Sequence, residues 1–138
     1  MLETTPLWIW HAILMTAGLV CIVCGGLLPV YGKNIAGWYR YHVMLGGVGG
    51  ALIIIAVILG FDAVYLSGSL SLFFVHVLLG ILLILTLAAT LALASFRSRV
   101  AASRKAIVRS AHLWAGRFFI VLAVINIFLG LSAMGILA

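Results

Sequence analysis

Acidic residues are almost absent from this chain: Glu3 and Asp62 are the only carboxylate side chains among 138 residues, against eight Lys and Arg. Charge of either sign is scarce, at 7% of residues, while 67% are hydrophobic. A water-soluble domain of this size has more surface than so few polar groups can cover, so the composition excludes an aqueous globular fold and makes lipid the solvent. The shortage of acid also bears on the net charge of +6. The basic residues flank apolar runs instead of forming a patch, which points to membrane orientation and away from nucleic acid. A soluble domain, a linker and a low-complexity tract are all missing from the sequence.

What remains is four apolar stretches, at about 7–30, 39–61, 71–96 and 107–137, each meeting the roughly 20 helical residues that a hydrocarbon core requires. They predict an all-α integral membrane protein, an up-down four-helix bundle forming a single domain over 1–138. The first stretch is too apolar and too long for a cleaved signal, and only Glu3, with no basic residue, precedes it, so this helix is expected to stay. Chain breakers stand where spans should end: Pro29, Gly32, Asn34 and Gly37 after the first, Asp62, Ser67, Gly68 and Ser69 after the second. Lys33 and Arg40 border the first connection, and Arg97, Arg99, Arg104, Lys105 and Arg109 crowd the third. With four spans these connections share a face, which the positive-inside rule makes cytoplasmic; both termini and both carboxylates are then extracytoplasmic. Trp8 and Trp10 at one level, and Tyr31, Trp38, Tyr39 and Tyr41 at the other, supply the aromatic belts expected beside lipid headgroups.

Each span carries one histidine: His11, His42, His76 and His112, all within about the first two turns. Successive spans run in opposite directions, so His11 and His76 are expected at one depth near the outer face, and His42 and His112 at another near the basic face. In an up-down bundle the first and third helices are diagonal across the core, as are the second and fourth. Each pair then faces itself, the arrangement that bis-axial ligation of a haem iron needs. His42, His76 and His112 are each followed four residues later by glycine, Gly46, Gly80 and Gly116, on the same helical face one turn deeper. A missing side chain there makes room for a porphyrin edge. Eighteen residues beyond His42 and His112 come Gly60 and Gly130, expected to flank the opposite haem with little bulk. His11 departs from this spacing, with Met15 at the fourth position and Gly18 at the seventh.

Glycine neighbours also serve close helix approach, and a single histidine in a span is more often a packing residue. Four histidines matched in depth favour the haem reading, because ionisable side chains inside a membrane are costly and usually functional. Zinc is the weaker metal: two imidazoles per level, without cysteine or carboxylate nearby, leave its shell incomplete. A histidine-based transporter or proton relay, and a structural subunit of a membrane complex without haem, are the rival functions.

Further residues invite chemistry. Arg117 lies five residues deeper than His112, on the order of 7.5 Å by helical rise, where a haem propionate is the expected counter-charge and snorkelling to the interface the alternative. Arg40 and Arg109 are second propionate candidates, though solvated loop positions are the favoured reading of each. Asn126, fourteen residues beyond His112 on roughly the same face, reaches the outer haem's depth, where it contacts haem or bonds a neighbouring helix. Cys21 and Cys24 form a CxxC, yet Gly25 follows in place of the histidine that thioether attachment of haem requires, so the pair reads as small buried residues, as Met15 reads as core.

The segments His11-Ala-Ile-Leu-Met15, His42 with Gly46, His76-Val-Leu-Leu-Gly80, and Ala111-His-Leu-Trp-Ala-Gly-Arg117 running into Val124-Ile-Asn-Ile-Phe-Leu-Gly130 resemble the cytochrome b561 family. The closest likeness is to the four-helix core found joined to, or working beside, extracellular haem-binding DOMON domains. The resemblance runs from His11 to Gly130 and implies two haem b groups, one held by His11 with His76 and one by His42 with His112. It implies electron transfer across the bilayer, by a subunit more than by a self-contained reductase. Ascorbate-reducing members resemble a six-helix protein; their two flanking helices and the DOMON domain have no counterpart in this sequence, and no substrate-site residue can be matched. Beyond membrane lipid, the expected partners are an extracytoplasmic redox protein or a larger membrane complex.

Overall fold

The computed structural model describes residues 6–136. Among these the regular structure is entirely helical: α1 (Leu7–Tyr31), α2 (Trp38–Ser67), α3 (Phe74–Phe96), a short 3-10 turn at Ala102–Arg104, and α4 (Lys105–Ala133). All four long helices have the length and apolar composition to cross a membrane. The expected all-α fold class therefore stands. Glu3, one of the two carboxylates, and Leu137, the end of the fourth expected span, lie outside the described residues.

Two of the expected breakers do not break. α1 runs through Pro29 to Tyr31, where the Gly32 N–H closes it on the Leu28 carbonyl at 2.8 Å. α2 continues through Asp62 for six residues beyond the expected 61, since a lone aspartate costs a helix only a few tenths of a kcal/mol. Its true stop is Gly68, whose φ of 65° is left-handed and whose N–H reaches the Tyr65 carbonyl. α3 starts at Phe74, three residues later than expected, because Ser69–Leu72 forms a turn.

The chain forms two compact units, Met1–Leu72 and Phe73–Ala138. Each is an antiparallel helical hairpin. Helices in lipid gain little from burying apolar surface against one another, so van der Waals fit and interhelical hydrogen bonds must hold each hairpin. In the first, glycine supplies the fit: a Cβ added at Gly49 would stand 2.7 Å from the Gly18 carbonyl, and one at Gly18 would stand 2.7 Å from Ile53 Cγ1. The second uses bulk instead, with Leu83 and Leu87 of α3 buried along with Phe119, Leu122 and Ala123 of α4. Large apolar side chains such as Val20, Ile58, Leu85 and Phe128 remain exposed on their hairpins. Lipid is their natural solvent, and the helical backbone satisfies its own polar groups beneath them.

Candidate functional site

All four histidines do the same thing. His11 Nδ1 donates to the Ala56 carbonyl at 2.7 Å, and His42 Nδ1 to the Gly25 carbonyl at 2.8 Å, so α1 and α2 exchange histidine bonds. In the second hairpin His76 Nδ1 donates to the Asn126 carbonyl and His112 Nδ1 to the Thr90 carbonyl, both at 3.0 Å. A carbonyl can only accept, so the pairing assigns the proton to Nδ1 and, in the neutral ring, the lone pair to Nε2. An imidazole oriented this way presents Nε2 as a metal ligand, and the carbonyl bond raises its basicity.

One spacing underlies the four bonds. Each acceptor lies fourteen residues beyond the histidine of its own helix: Gly25 after His11, Ala56 after His42, Thr90 after His76, Asn126 after His112. Fourteen residues are nearly four turns, so histidine and acceptor share a face, and the two histidine levels of a hairpin stand about 21 Å apart. The two hairpins thus repeat each other in these bonds as well as in the spacing of their histidines.

A helical carbonyl already faces the N–H four residues on, so a second donor has to arrive beside that residue. The residues in question are Pro29, Gly60, Ala94 and Gly130, eighteen beyond each histidine. None carries a bulky side chain. A Cβ at Gly60 would collide with the His11 ring, 2.7 Å from Cε1 and closer still to Nδ1; one at Gly130 would lie 2.9 Å from His76 Cε1. The room at Gly60 and Gly130 is therefore taken by imidazole. Sequence reasoning marked these two glycines but missed the acceptors Gly25, Ala56 and Thr90 and the small residue Ala94. The signal for them was the offsets of fourteen and eighteen recurring after every histidine.

Gly46 and Gly116 are different: a Cβ at either would meet nothing within 4 Å. At Gly80 it would meet only Asn126 Nδ2, at 3.7 Å. Bare helix surface thus lies one turn from His42, His76 and His112. Aromatic rings flank two of the imidazoles, Tyr39 at 6.5 Å from His42 and Phe73 at 6.3 Å from His76 between centroids. Lone pairs directed by tautomer, beside strips cleared of side chains, fit a flat macrocycle bound through its central iron. Among the described residues no three His, Cys, Asp or Glu side chains gather as a bare-ion site would need.

Asn126 serves His76 through its main chain. Its side chain is 3% exposed, and Oδ1 is buried without a hydrogen-bond partner. Arg117 is exposed on its hairpin, and its Cζ lies over the Trp114 ring at 5.0 Å from the centroid. Position 117 is three residues past Trp114, one turn on along the same helix face, which brings the cation to the ring. Met15 is buried in the first hairpin, as a core residue should be. Cys21 is half-buried and Cys24 exposed, both as free thiols, so the small buried pair expected from the sequence is only partly sheltered.

No curated protein and no solved structure matches the chain. The family profile described as eukaryotic cytochrome b561 matches residues 10–137, a span that includes all four histidines and their acceptors. With nearly the whole length matched, on four membrane-length helices that each present one carbonyl-oriented imidazole, the chain belongs to the cytochrome b561 family of haem-dependent transmembrane electron carriers.

Proposed function

We propose that this protein is a dihaem conduit that passes electrons across the bilayer between two bis-histidine haem b groups, held in a single four-helix domain. The observation that carries this reading is the treatment of four histidines by four carbonyls, which orients one Nε2 lone pair at each of two levels within each hairpin. Four equal ligands at two depths suit two six-coordinate irons, His11 with His76 near the extracytoplasmic face and His42 with His112 near the basic face. Haem supplies the reversible one-electron chemistry when bound. The protein's part is to hold ligands, spacing and dielectric. Gly46, Gly80 and Gly116 leave room beside the ligands, the Asn126 carbonyl orients His76, and Arg117 answers propionate charge from the rim of the inner site.

The basic connections support a cytoplasmic side for that inner site, with both termini extracytoplasmic. Electrons are exchanged with partners, an extracytoplasmic redox protein or a larger membrane complex. The test is a visible spectrum with a pyridine haemochrome assay on the purified protein. Two haem b per chain are expected, low-spin in both oxidation states and inert to carbon monoxide, since imidazole fills every axial position. One haem per chain, or avid carbon monoxide binding, contradicts the proposal.

A further inference from the structure

Of the four carbonyls that receive a histidine, one differs in kind. Ala56, Thr90 and Asn126 are followed four residues later by Gly60, Ala94 and Gly130, each with an N–H that the helical pattern directs at the same carbonyl. Gly25 is followed by Pro29, inside α1 and without an N–H. Proline does two things to the carbonyl four residues before it: it removes the helical donor, and its ring pushes that oxygen out of line. Gly25 is itself buried against α2, where an added Cβ would stand 3.1 Å from Leu45 Cβ and 3.5 Å from the His42 carbonyl. The oxygen left without its helical donor by Pro29 is the one that His42 Nδ1 reaches at 2.8 Å.

We propose that Pro29 is a positioning residue for His42, turning the Gly25 carbonyl into an acceptor reserved for the imidazole and so making His42 the most electron-rich of the four ligands. Three histidines share their acceptor with a backbone N–H; His42 does not. An acceptor with no competing donor draws the Nδ1 proton more strongly, and the ring gains basicity at Nε2. A more basic axial ligand favours the oxidised iron, so the haem held by His42 is harder to reduce than it would be with a shared carbonyl. The redox half of this inference rests on the dihaem reading; the hydrogen-bond half does not.

Pro29→Ala restores the missing N–H without adding bulk, and Pro29→Gly does so with a different effect on helix stability, so one of the two is expected to fold. Each variant is compared with the parent in two measurements. The first is a redox titration, expected to move upward the midpoint of the haem that His42→Ala abolishes and to leave the other midpoint in place. The second is 15N-resolved NMR of the His42 Nδ1–H, in the haem-free protein and in the reduced, diamagnetic holoprotein, expected to move upfield as the bond weakens. An unmoved His42 resonance overturns the proposal, and so does a moved resonance with an unchanged midpoint. If the protein binds no haem at all, the dihaem reading fails by itself and the haem-free resonance still decides the role of Pro29.

Discussion

The imidazole of His11 occupies the space that a side chain at position 60 would fill, so Gly60 and His11 are complementary across α1 and α2. His76 and Gly130 repeat the relationship in the second hairpin. In both, the glycine admits the ring to a carbonyl one turn earlier on its own helix.

Gly60→Ala should therefore push His11 away from Ala56, and Gly130→Ala should do the same to His76. Loss of a ligand-orienting bond lowers cofactor affinity on the order of ten- to hundredfold, and both substitutions should affect the same haem. Haem titration of the purified variants measures it. Wild-type affinity in Gly60→Ala would mean that the ring keeps its place by another route.

Histidine replacements address the pairing itself. His11→Ala and His76→Ala are expected to erase one set of reduced-haem bands, and His42→Ala and His112→Ala the other. Should His11→Ala share its spectral loss with His42→Ala, the two ligands of a haem would come from one hairpin and the proposed assembly would be wrong.

In the proposed conduit Arg117 acts through its field. A cation near the inner haem favours reduction, which adds negative charge to a medium where Coulomb terms are large. Arg117→Leu should lower the midpoint of the haem held by His42 and His112, while the other haem, roughly 20 Å away in depth by helical rise, changes little. Arg117→Lys should shift it less, since the charge stays though the planar group that lies over Trp114 is lost. An inner midpoint indifferent to Arg117→Leu would assign the guanidinium to lipid headgroups.

Asn126 separates main chain from side chain. Leucine at this position keeps the carbonyl that His76 uses and removes a buried amide oxygen that has no partner. Burying such a group unsatisfied costs about 1–3 kcal/mol, so Asn126→Leu should raise stability toward denaturant by up to that amount with haem content unchanged. A drop in stability, or loss of the haem held by His76, would show that the amide itself contacts the cofactor.

Much of this was legible in the sequence, and for identifiable reasons. Composition and run length announced the four spans, because lipid imposes a length on any helix that crosses it. The opposite levels of the two histidines within each hairpin followed from alternating helix direction. Helix ends were less legible: Asp62 and Pro29 look like stops, but an interior helix tolerates one weak residue, and a proline near a C-terminus sacrifices a single bond. The acceptor carbonyls were hidden for a deeper reason. A backbone oxygen has no residue type, and only the glycine, alanine or proline four places on betrays that another donor comes to it.

In the proposed dihaem conduit the fourteen-residue interval would serve as a ruler for electron tunnelling. Tunnelling rates fall exponentially with the gap between donor and acceptor, so a conduit is only as fast as its spacing is reproducible. Here the spacing is written twice in each hairpin, once along each helix, and the crossed histidine bonds lock one copy against the other. Changes in the length of the connecting loops leave the ruler untouched. A helical turn inserted between His11 and Gly25 would leave the two bonds of the first hairpin unable to form together, so in the proposed conduit the bonds that orient the ligands would also protect the transfer distance.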